Sequence, residues 1–131
     1  MAVWHGKKGR TKTGGEITIH RKKRRFELGS LPLHVRIGKE EKFVKKTKGG
    51  GKRIKARSVE FANVLNPESR EIKKVKILDI IENRGDPDMV RRGIITKGCI
   101  IRTEIGNARV TSRPSQHGTV NALALTTEEK K

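Results

Sequence analysis

From residue 33 onwards, apolar and polar side chains alternate with the two-residue period of half-buried β-strands. The first two runs of this kind are LHVRIG at 33–38 and KFVKK at 42–46. Two longer runs follow, RIKARSVEFANV at 53–64 and REIKKVKILDIIEN at 70–83. Three glycines at 49–51 separate the second run from the third and predict a hairpin with a loose tip. This part of the chain is therefore predicted to be β-structure.

A second hairpin is predicted in CIIRTEIGNARVTS, residues 99–112, with Gly106-Asn107 as a two-residue turn. One face would then be apolar, and the other would carry a favourable charge pair. In that register the cross-strand pairs are Ile105 with Ala108, Thr103 with Val110, Ile101 with Ser112, and Glu104 with Arg109. PSQHG at 114–118 predicts another turn, and TVNALAL at 119–125 predicts the last strand.

The one helix signal is DPDMVRRG at 86–93, which has room for a turn or two. Asp86 suits the N-cap, Pro87 suits the first helical position, and Gly93 suits the end. The alternative for Asp86 and Asp88 is a metal-binding pair. Two acids without further ligands nearby favour a helix start instead.

The fold class predicted from these runs is mostly β, a small closed or nearly closed β-barrel of about six short strands with at most one short helix. Residues 1–30 include GKKGRTKTGG, a stretch without any apolar side chain, and predict a basic, extended arm with no core of its own. The predicted body covers 31–126 and includes a basic hairpin at 42–62. Residues 127–131 are predicted to be a frayed tail.

The formal net charge of +18 is concentrated in one part of the chain, so the two parts differ in what they can bind and bury. Residues 1–58 hold 19 Lys and Arg against 4 Asp and Glu, whereas residues 59–131 hold 13 against 10. Leu, Ile, Val and Phe number 12 in the first part and 20 in the second. The second part can bury a core, and the first is expected to fold fully only against a polyanion, for which nucleic acid is the leading candidate.

No pattern in the sequence supports catalysis, and neither a cofactor, a metal nor a small-molecule substrate is predicted. The four histidines lack metal-ligand spacing, and KGGGKR at 48–53 lacks the residues of a phosphate-binding loop. The single cysteine, Cys99, precedes two isoleucines and is predicted to be a buried, unreactive thiol. We also expect no membrane association, no signal peptide and an intracellular, cytoplasmic location.

The mode of nucleic-acid recognition is limited by the aromatic residues, which are Trp4 and three phenylalanines. Phe61 is predicted to belong to the core. Proteins that bind single strands stack bases on several exposed rings, and those that enter the DNA major groove usually use a long helix. The sequence therefore predicts binding to the phosphate backbone and shape of a folded RNA.

Two cation patterns stand out. In HRKKRRFELG at 20–29, five cations in a row are followed by an aromatic residue and, two positions later, by a leucine. Phe26 and Leu28 are predicted to share a period-2 face and to anchor the end of the arm on the barrel or on a neighbour. Arg53, Lys55 and Arg57 are predicted to lie on one face of a strand, at intervals of about 6.6 Å.

Several long motifs occur in the order of a known family. They are TGG at 13–15, HRKKRRFELG at 20–29, FANV at 61–64, IITKGCII at 94–101 and TEIGNARVTSRPSQHGTVNA at 103–122. Together they closely resemble the "S eight e" family of small-ribosomal-subunit proteins, in the length of its archaeal form. The resemblance spans nearly the whole chain.

The resemblance implies a β-barrel with a basic N-terminal extension, bound to small-subunit rRNA among neighbouring ribosomal proteins as a structural component. It implies that the family's basic motif falls on Thr13, Gly14, Gly15 and Arg21 to Gly29, and its basic hairpin on Lys48 to Arg57. With the charge pattern, the predicted rRNA-binding residues are Lys7, Lys8, Arg10, Lys12, Thr13, Gly14, Gly15, Arg21, Lys22, Lys23, Arg24, Arg25, Lys45, Lys46, Lys48, Lys52, Arg53, Lys55, Arg57, Arg113 and His117.

Two other kinds of function remain open at this point. A free-standing RNA-binding factor in translation or rRNA processing would have the same charge pattern, and would leave the small subunit during high-salt washing. An enzyme would need a set of reactive residues that the sequence does not provide.

Overall fold

The computed structural model describes residues 2–6, 9–47 and 49–125, and within them the backbone is mostly strand. The strands are β1 (Ala2–Trp4), β2 (Leu28–Ser30), β3 (Val35–Ile37), β4 (Glu41–Lys46), β5 (Lys52–Val59), β6 (Phe61–Leu65), β7 (Ile72–Glu82), β8 (Ile94–Ile95), β9 (Ile100–Thr103), β10 (Asn107–Val110) and β11 (Asn121–Ala124). The helices are α1 (Pro87–Arg91) and α2 (Pro114–His117), and a 3-10 turn covers Arg25–Glu27.

Five strands form a closed barrel in the order β10, β11, β6, β7 and β9. The β11–β6 pair is parallel, and the other pairs are antiparallel. A second sheet has the order β4, β5, β3 and β8, with β3 parallel to β5. The predicted fold class, a mostly β protein with a small closed barrel, is confirmed. The described residues form two short helices where at most one was predicted, because PSQHG closes as α2 rather than as a simple turn.

The contacts of the chain divide it into two units, residues 1–32 and residues 33–131. The buried side chains of the described residues all lie in the second unit, where Val35 and Ala56 from the sheet share a core with the barrel residues Val64, Ile101 and Val110. Most of the core therefore comes from residues 59–131, as their apolar content predicted, and Val35 and Ala56 add to it from residues 1–58. The boundaries of arm, body and tail stay a prediction.

The predicted run 53–64 is two strands in different sheets. β5 ends at Val59, and β6 begins at Phe61, so the chain passes from the sheet to the barrel at Glu60. The Glu60 carbonyl accepts a hydrogen bond from the Ile77 N–H at 2.9 Å, which ties the crossing point to β7. Alternation alone cannot locate such a crossing, since the period-2 pattern continues through it.

The helix start at 86–93 is confirmed. Asp86 is the N-cap of α1, and its Oδ1 accepts a hydrogen bond from the Asp88 N–H at 2.9 Å. Asp88 pairs with Arg92 at 2.8 Å, one turn further along. Both acids thus form their contacts within the helix and its caps, as expected for a helix start. Cys99 is buried, as predicted, and desolvation raises the pKa of its thiol.

The predicted register of the second hairpin is wrong, although its apolar face is right. Ile101 lies opposite Ala108, and Arg109 lies opposite Ile100 instead of Glu104. The turn is longer than two residues, because the Thr103 N–H and hydroxyl both donate to the Gly106 carbonyl, at 2.9 and 2.7 Å. The pairing is displaced by an even number of residues, so the other members of the predicted apolar face still point inward. Ile105 is the exception, because it falls in the turn and is exposed.

This difference between Ile101 and Ile105 gives a direct test of the core. Ile101 is 0 % exposed, whereas Ile105 lies in the turn and is 57 % exposed. We expect Ile101→Asp to destabilise the barrel by about 4 kcal/mol or more, because an unpaired carboxylate would be buried. The matched variant Ile105→Asp should change the urea midpoint very little. Equal losses of stability in the two variants would contradict the observed register.

Candidate nucleic-acid interface

The N-terminal unit is organised around Glu27, the one acid within HRKKRRFELG. Its carboxylate accepts hydrogen bonds from Trp4 Nε1 at 2.9 Å and from the Arg24 N–H at 3.1 Å, and it forms an ion pair with Arg21. The Glu27 carbonyl accepts a further bond from the His5 N–H at 3.0 Å. The contacts of the carboxylate, the Trp4 bond first among them, lower the pKa of Glu27 below its usual value. One acid therefore joins both ends of this unit.

The strands of this unit form a two-stranded antiparallel ribbon in which Trp4 pairs with Leu28 and Val3 with Gly29. A Cβ at Gly29 would come within 1.9 Å of the His5 ring, so a larger residue there would require the exposed His5 side chain to move. The five-cation run therefore stops at Phe26 because the chain must make the 3-10 turn of residues 25–27 and then enter β2. Phe26 lies in that turn and Leu28 opens the strand, so the predicted period-2 face of these two residues does not form.

Residues 9–17, predicted as part of an extended arm, fold back on themselves. Arg10 bridges to Glu16, and the Thr11 N–H donates to the Gly15 carbonyl at 2.8 Å. Gly14 has a φ of 87°, which a residue with a side chain rarely adopts. This turn leaves Lys12 exposed at its tip.

The cations of Arg21–Arg25, which we call the basic run, are all exposed. Two of them lie over aromatic rings. The Arg21 guanidinium is 5.4 Å from the centre of the Phe26 ring, and the Lys23 ammonium is 5.4 Å from the centre of the Trp4 ring. These contacts hold part of the basic run in place while leaving its charge at the surface.

The basic hairpin consists of β4 and β5, which pair from Glu41 with Ser58 to Lys46 with Lys52. Its tip contains Gly49 and Gly50, with φ of 82° and 81°, a conformation that glycine adopts without strain and other residues rarely adopt. Phe43 lies directly opposite Lys55, and Lys45 opposite Arg53. With Arg57, whose guanidinium meets Glu41 at 3.1 Å, these residues form what we call the comb face.

Arg113 and His117 belong to α2, apart from the comb face. Arg113 is the N-cap, and its N–H donates to His117 Nδ1 at 3.3 Å, so the ring is fixed against the backbone. Gly118, at the end of α2, lies against Ile54 of β5. Both Arg113 and His117 are exposed beside the basic hairpin.

The predicted site residues thus fall into three groups. Arg10, Lys12–Gly15 and the basic run lie in the N-terminal unit. On the basic hairpin lie Lys45, Lys46, Lys52, Arg53, Lys55 and Arg57, and Arg113 and His117 lie at α2. Lys7, Lys8 and Lys48 lie outside the described residues. Sequence reasoning missed Trp4 and Glu27, although each is conspicuous as the single tryptophan and as the single acid in a cationic stretch.

The described residues hold no candidate metal site beside these cations. Across residues 2–6, 9–47 and 49–125, no three His, Cys, Asp or Glu side chains come together in a way that could hold an ion. Every buried polar side-chain atom of the described residues has a hydrogen-bond partner. Neither described helix has the length or the apolar character that crossing a membrane requires.

The fold and the charge distribution together define the class: a small, strongly basic β-barrel protein whose cations lie on exposed elements. Sequence comparison gives the family. The family described as Ribosomal protein S8e matches residues 4–125, and the chain belongs to it. The resemblance inferred from the motifs is therefore confirmed. Because this is a family of ribosomal structural proteins, the prediction that the chain is not an enzyme is confirmed as well.

Several archaeal relatives share almost their whole length with this chain. The small ribosomal subunit protein eS8 of Methanospirillum hungatei is 44% identical over 122 residues, which cover 93% of this chain and 98% of the relative. That of Methanoregula boonei is 46% identical, covering 94% and 98%. That of Sulfurisphaera tokodaii is 44% identical, covering 95% and 98%.

The bonds of Glu27 predict a pH-dependent change that Trp4 reports. A folded-state pKa below the usual 4.5 means that the stabilisation is complete above about pH 4.5 and is lost as the pH falls through the lower value. We expect the emission of Trp4, the single tryptophan, to change over that acidic range in the wild-type protein. In Glu27→Gln this transition should be absent, whereas Glu16→Gln, at the other acid of the unit, should keep it.

The same acidic transition in Glu27→Gln would show that another group controls the environment of Trp4. Circular dichroism at each pH provides the control for the barrel, which contains no tryptophan.

Proposed function

We propose that this chain is a structural constituent of the small ribosomal subunit, where it binds and stabilises folded rRNA through phosphate-backbone contacts and so supports translation. Membership of the S8e family and the printed names of the archaeal relatives support the assembly. The observation that carries the binding mode is the concentration of 19 of the 32 cations in residues 1–58. The partners proposed are small-subunit rRNA and neighbouring ribosomal proteins, in the cytoplasmic ribosome.

The local structure supports contact with a polyanion rather than with a protein core. The basic run and the basic hairpin expose cations that outnumber their acids, so each element would repel itself without a counter-charge. Each phosphate contact releases condensed counterions, which makes the affinity fall with salt. The 3-10 turn and the hairpin fix the spacing of the cations, which favours a shaped RNA over an arbitrary polyanion.

We further propose that Phe26 and Leu28 anchor the N-terminal unit during binding. Both side chains are exposed in the described structure, and both follow the basic run directly. An apolar anchor beside a cationic run would hold one end of the run while charge attracts the other to RNA. Phe26→Ala combined with Leu28→Ala should then release the protein from the small subunit at a lower salt concentration.

The proposed function predicts how the protein behaves on a sucrose gradient. The wild-type chain should sediment with small subunits and stay with them through a high-salt wash. Replacing all five residues of Arg21–Arg25 with Gln should release the protein at a lower salt concentration. In rRNA-binding measurements, the same variant should lower the slope of log affinity against log salt by about three to four. The barrel should keep its melting temperature, because none of these side chains is buried.

A control variant with the same net charge distinguishes the effect of where the cations lie from the effect of how many are removed. It neutralises five exposed barrel cations instead, Lys73, Lys76, Arg84, Lys97 and Arg102. Each variant lowers the net charge of +18 by five. Equal losses of affinity in the two variants would contradict a defined interface, and loss of the wild-type protein during washing would favour a free-standing factor.

A further inference from the structure

Phe43 is an exposed aromatic ring within a field of cations. It is 54 % exposed at the centre of the comb face. Lys55 lies directly across the hairpin, and the pair of Lys45 and Arg53 is next along the same face. The exposed part of the ring is available to a partner, and burying it against that partner would be favourable.

The three phenylalanines differ in what covers them. The Phe26 ring has the Arg21 guanidinium at 5.4 Å, and the Phe61 ring has the Lys74 ammonium at 4.8 Å. Within the described part of the chain, no cation or other ring lies over Phe43. Phe61 is also 37 % exposed on the outside of the barrel, so the prediction that it belongs to the core is wrong. The protein therefore has exposed rings that the sequence did not reveal, and among the three phenylalanines Phe43 is the one with no described cation over its ring.

The surroundings of Phe43 decide which kind of partner it suits. The centre of a protein–protein interface is depleted in lysine and acidic residues, whereas Phe43 is bordered by Lys45, Lys55 and Arg53. Single-stranded RNA combines a flat apolar base with a phosphate on each side. Proteins bind it by placing a ring under the base and cations along the backbone.

We propose that Phe43 stacks on an unpaired base of the bound RNA while Lys55 and Arg53, which lie on the neighbouring strand, contact successive phosphates. This inference rests on the proposed function and deepens it, since it adds a base contact to binding through phosphates. Same-face neighbours along a strand are about 6.6 Å apart, and paired strands are about 4.8 Å apart, so cations lie within reach on two sides of the ring. A loop or a bulge supplies such a base, and a continuous duplex does not.

The test uses two RNA strands that differ only in their bases. One is a labelled oligouridylate of about twelve nucleotides, within the range that one small domain covers. The other has the same length and charge, but its central units lack bases. Fluorescence anisotropy with the full chain should show that Phe43→Ala weakens binding of the intact strand by about five- to 150-fold, the range of one aromatic–base stack. It should leave the abasic strand unchanged.

Three further variants make the interpretation specific. Phe43→Trp should retain the preference for the intact strand. Phe43→Leu keeps an apolar side chain opposite Lys55 but removes the aromatic face, so it should behave as Phe43→Ala does. Val44→Ala is the matched control, because Val44 is 52 % exposed on the next residue of the same strand and faces the opposite side. It should bind both strands as the wild-type protein does.

The salt dependence separates stacking from charge. Phe43→Ala should keep the wild-type slope, whereas Lys55→Gln should lower it by about 0.7, the value for one phosphate contact on a single strand. Equal weakening on both strands by Phe43→Ala, or no weakening on either, would overturn the inference. In that event salt-dependent binding of small-subunit rRNA would still support the proposed function, and the absence of such binding by the wild-type protein would refute it.

Discussion

Repulsion among like charges is the constraint on which the rest of this structure depends. Residues 1–58 carry 19 cations and few apolar side chains, so they cannot form a core that would hold them together. The chain places its core in the second unit, where Val35 and Ala56 of the sheet pack with the barrel. Most of the charge is then carried on the N-terminal unit and on the basic hairpin, most of whose described cations are exposed.

Each cationic element includes a small number of acids that give it a shape. Glu27 binds Trp4, Arg21 and the Arg24 backbone, and Glu41 meets Arg57 beside the bulge of the basic hairpin. Ion pairs this exposed contribute little to stability. Their effect is to fix the direction of the neighbouring cations, and a fixed spacing of cations can distinguish one folded polyanion from another.

The sequence predicted what depends on local chemistry. The Asp86–Pro87 helix start and the inward face of β9 and β10 follow from residues close together in the chain. Alternation defines which face of a strand is buried, but a displacement by an even number of residues preserves that face. The bonds between Thr103 and Gly106 decided the register, and no periodicity contains that information.

Features that depend on distant residues were not predictable. Glu27 owes its role to Trp4, which lies 23 positions away, and the 3-10 turn between them was not visible in the pattern. Phe61 was placed in the core because aromatic residues usually are buried, but Ala62 and Val64 occupy the inward positions of β6. The exposed rings change the expected mode of recognition, since a protein with accessible phenylalanines beside cations can contact bases as well as phosphates.

In the proposed function, the cationic residues 1–58 meet RNA, and the barrel holds most of the core. A two-stranded ribbon such as β1–β2 is marginally stable alone, so its amides should exchange readily in the free protein. Hydrogen exchange of the full chain, free and bound to small-subunit rRNA, tests this claim most directly. The account predicts protection gained over residues 9–30 and at the tip of the basic hairpin, with little change over 72–82 and 100–110. Equal exchange at residues 9–30 with and without rRNA, or protection confined to the barrel, would contradict it.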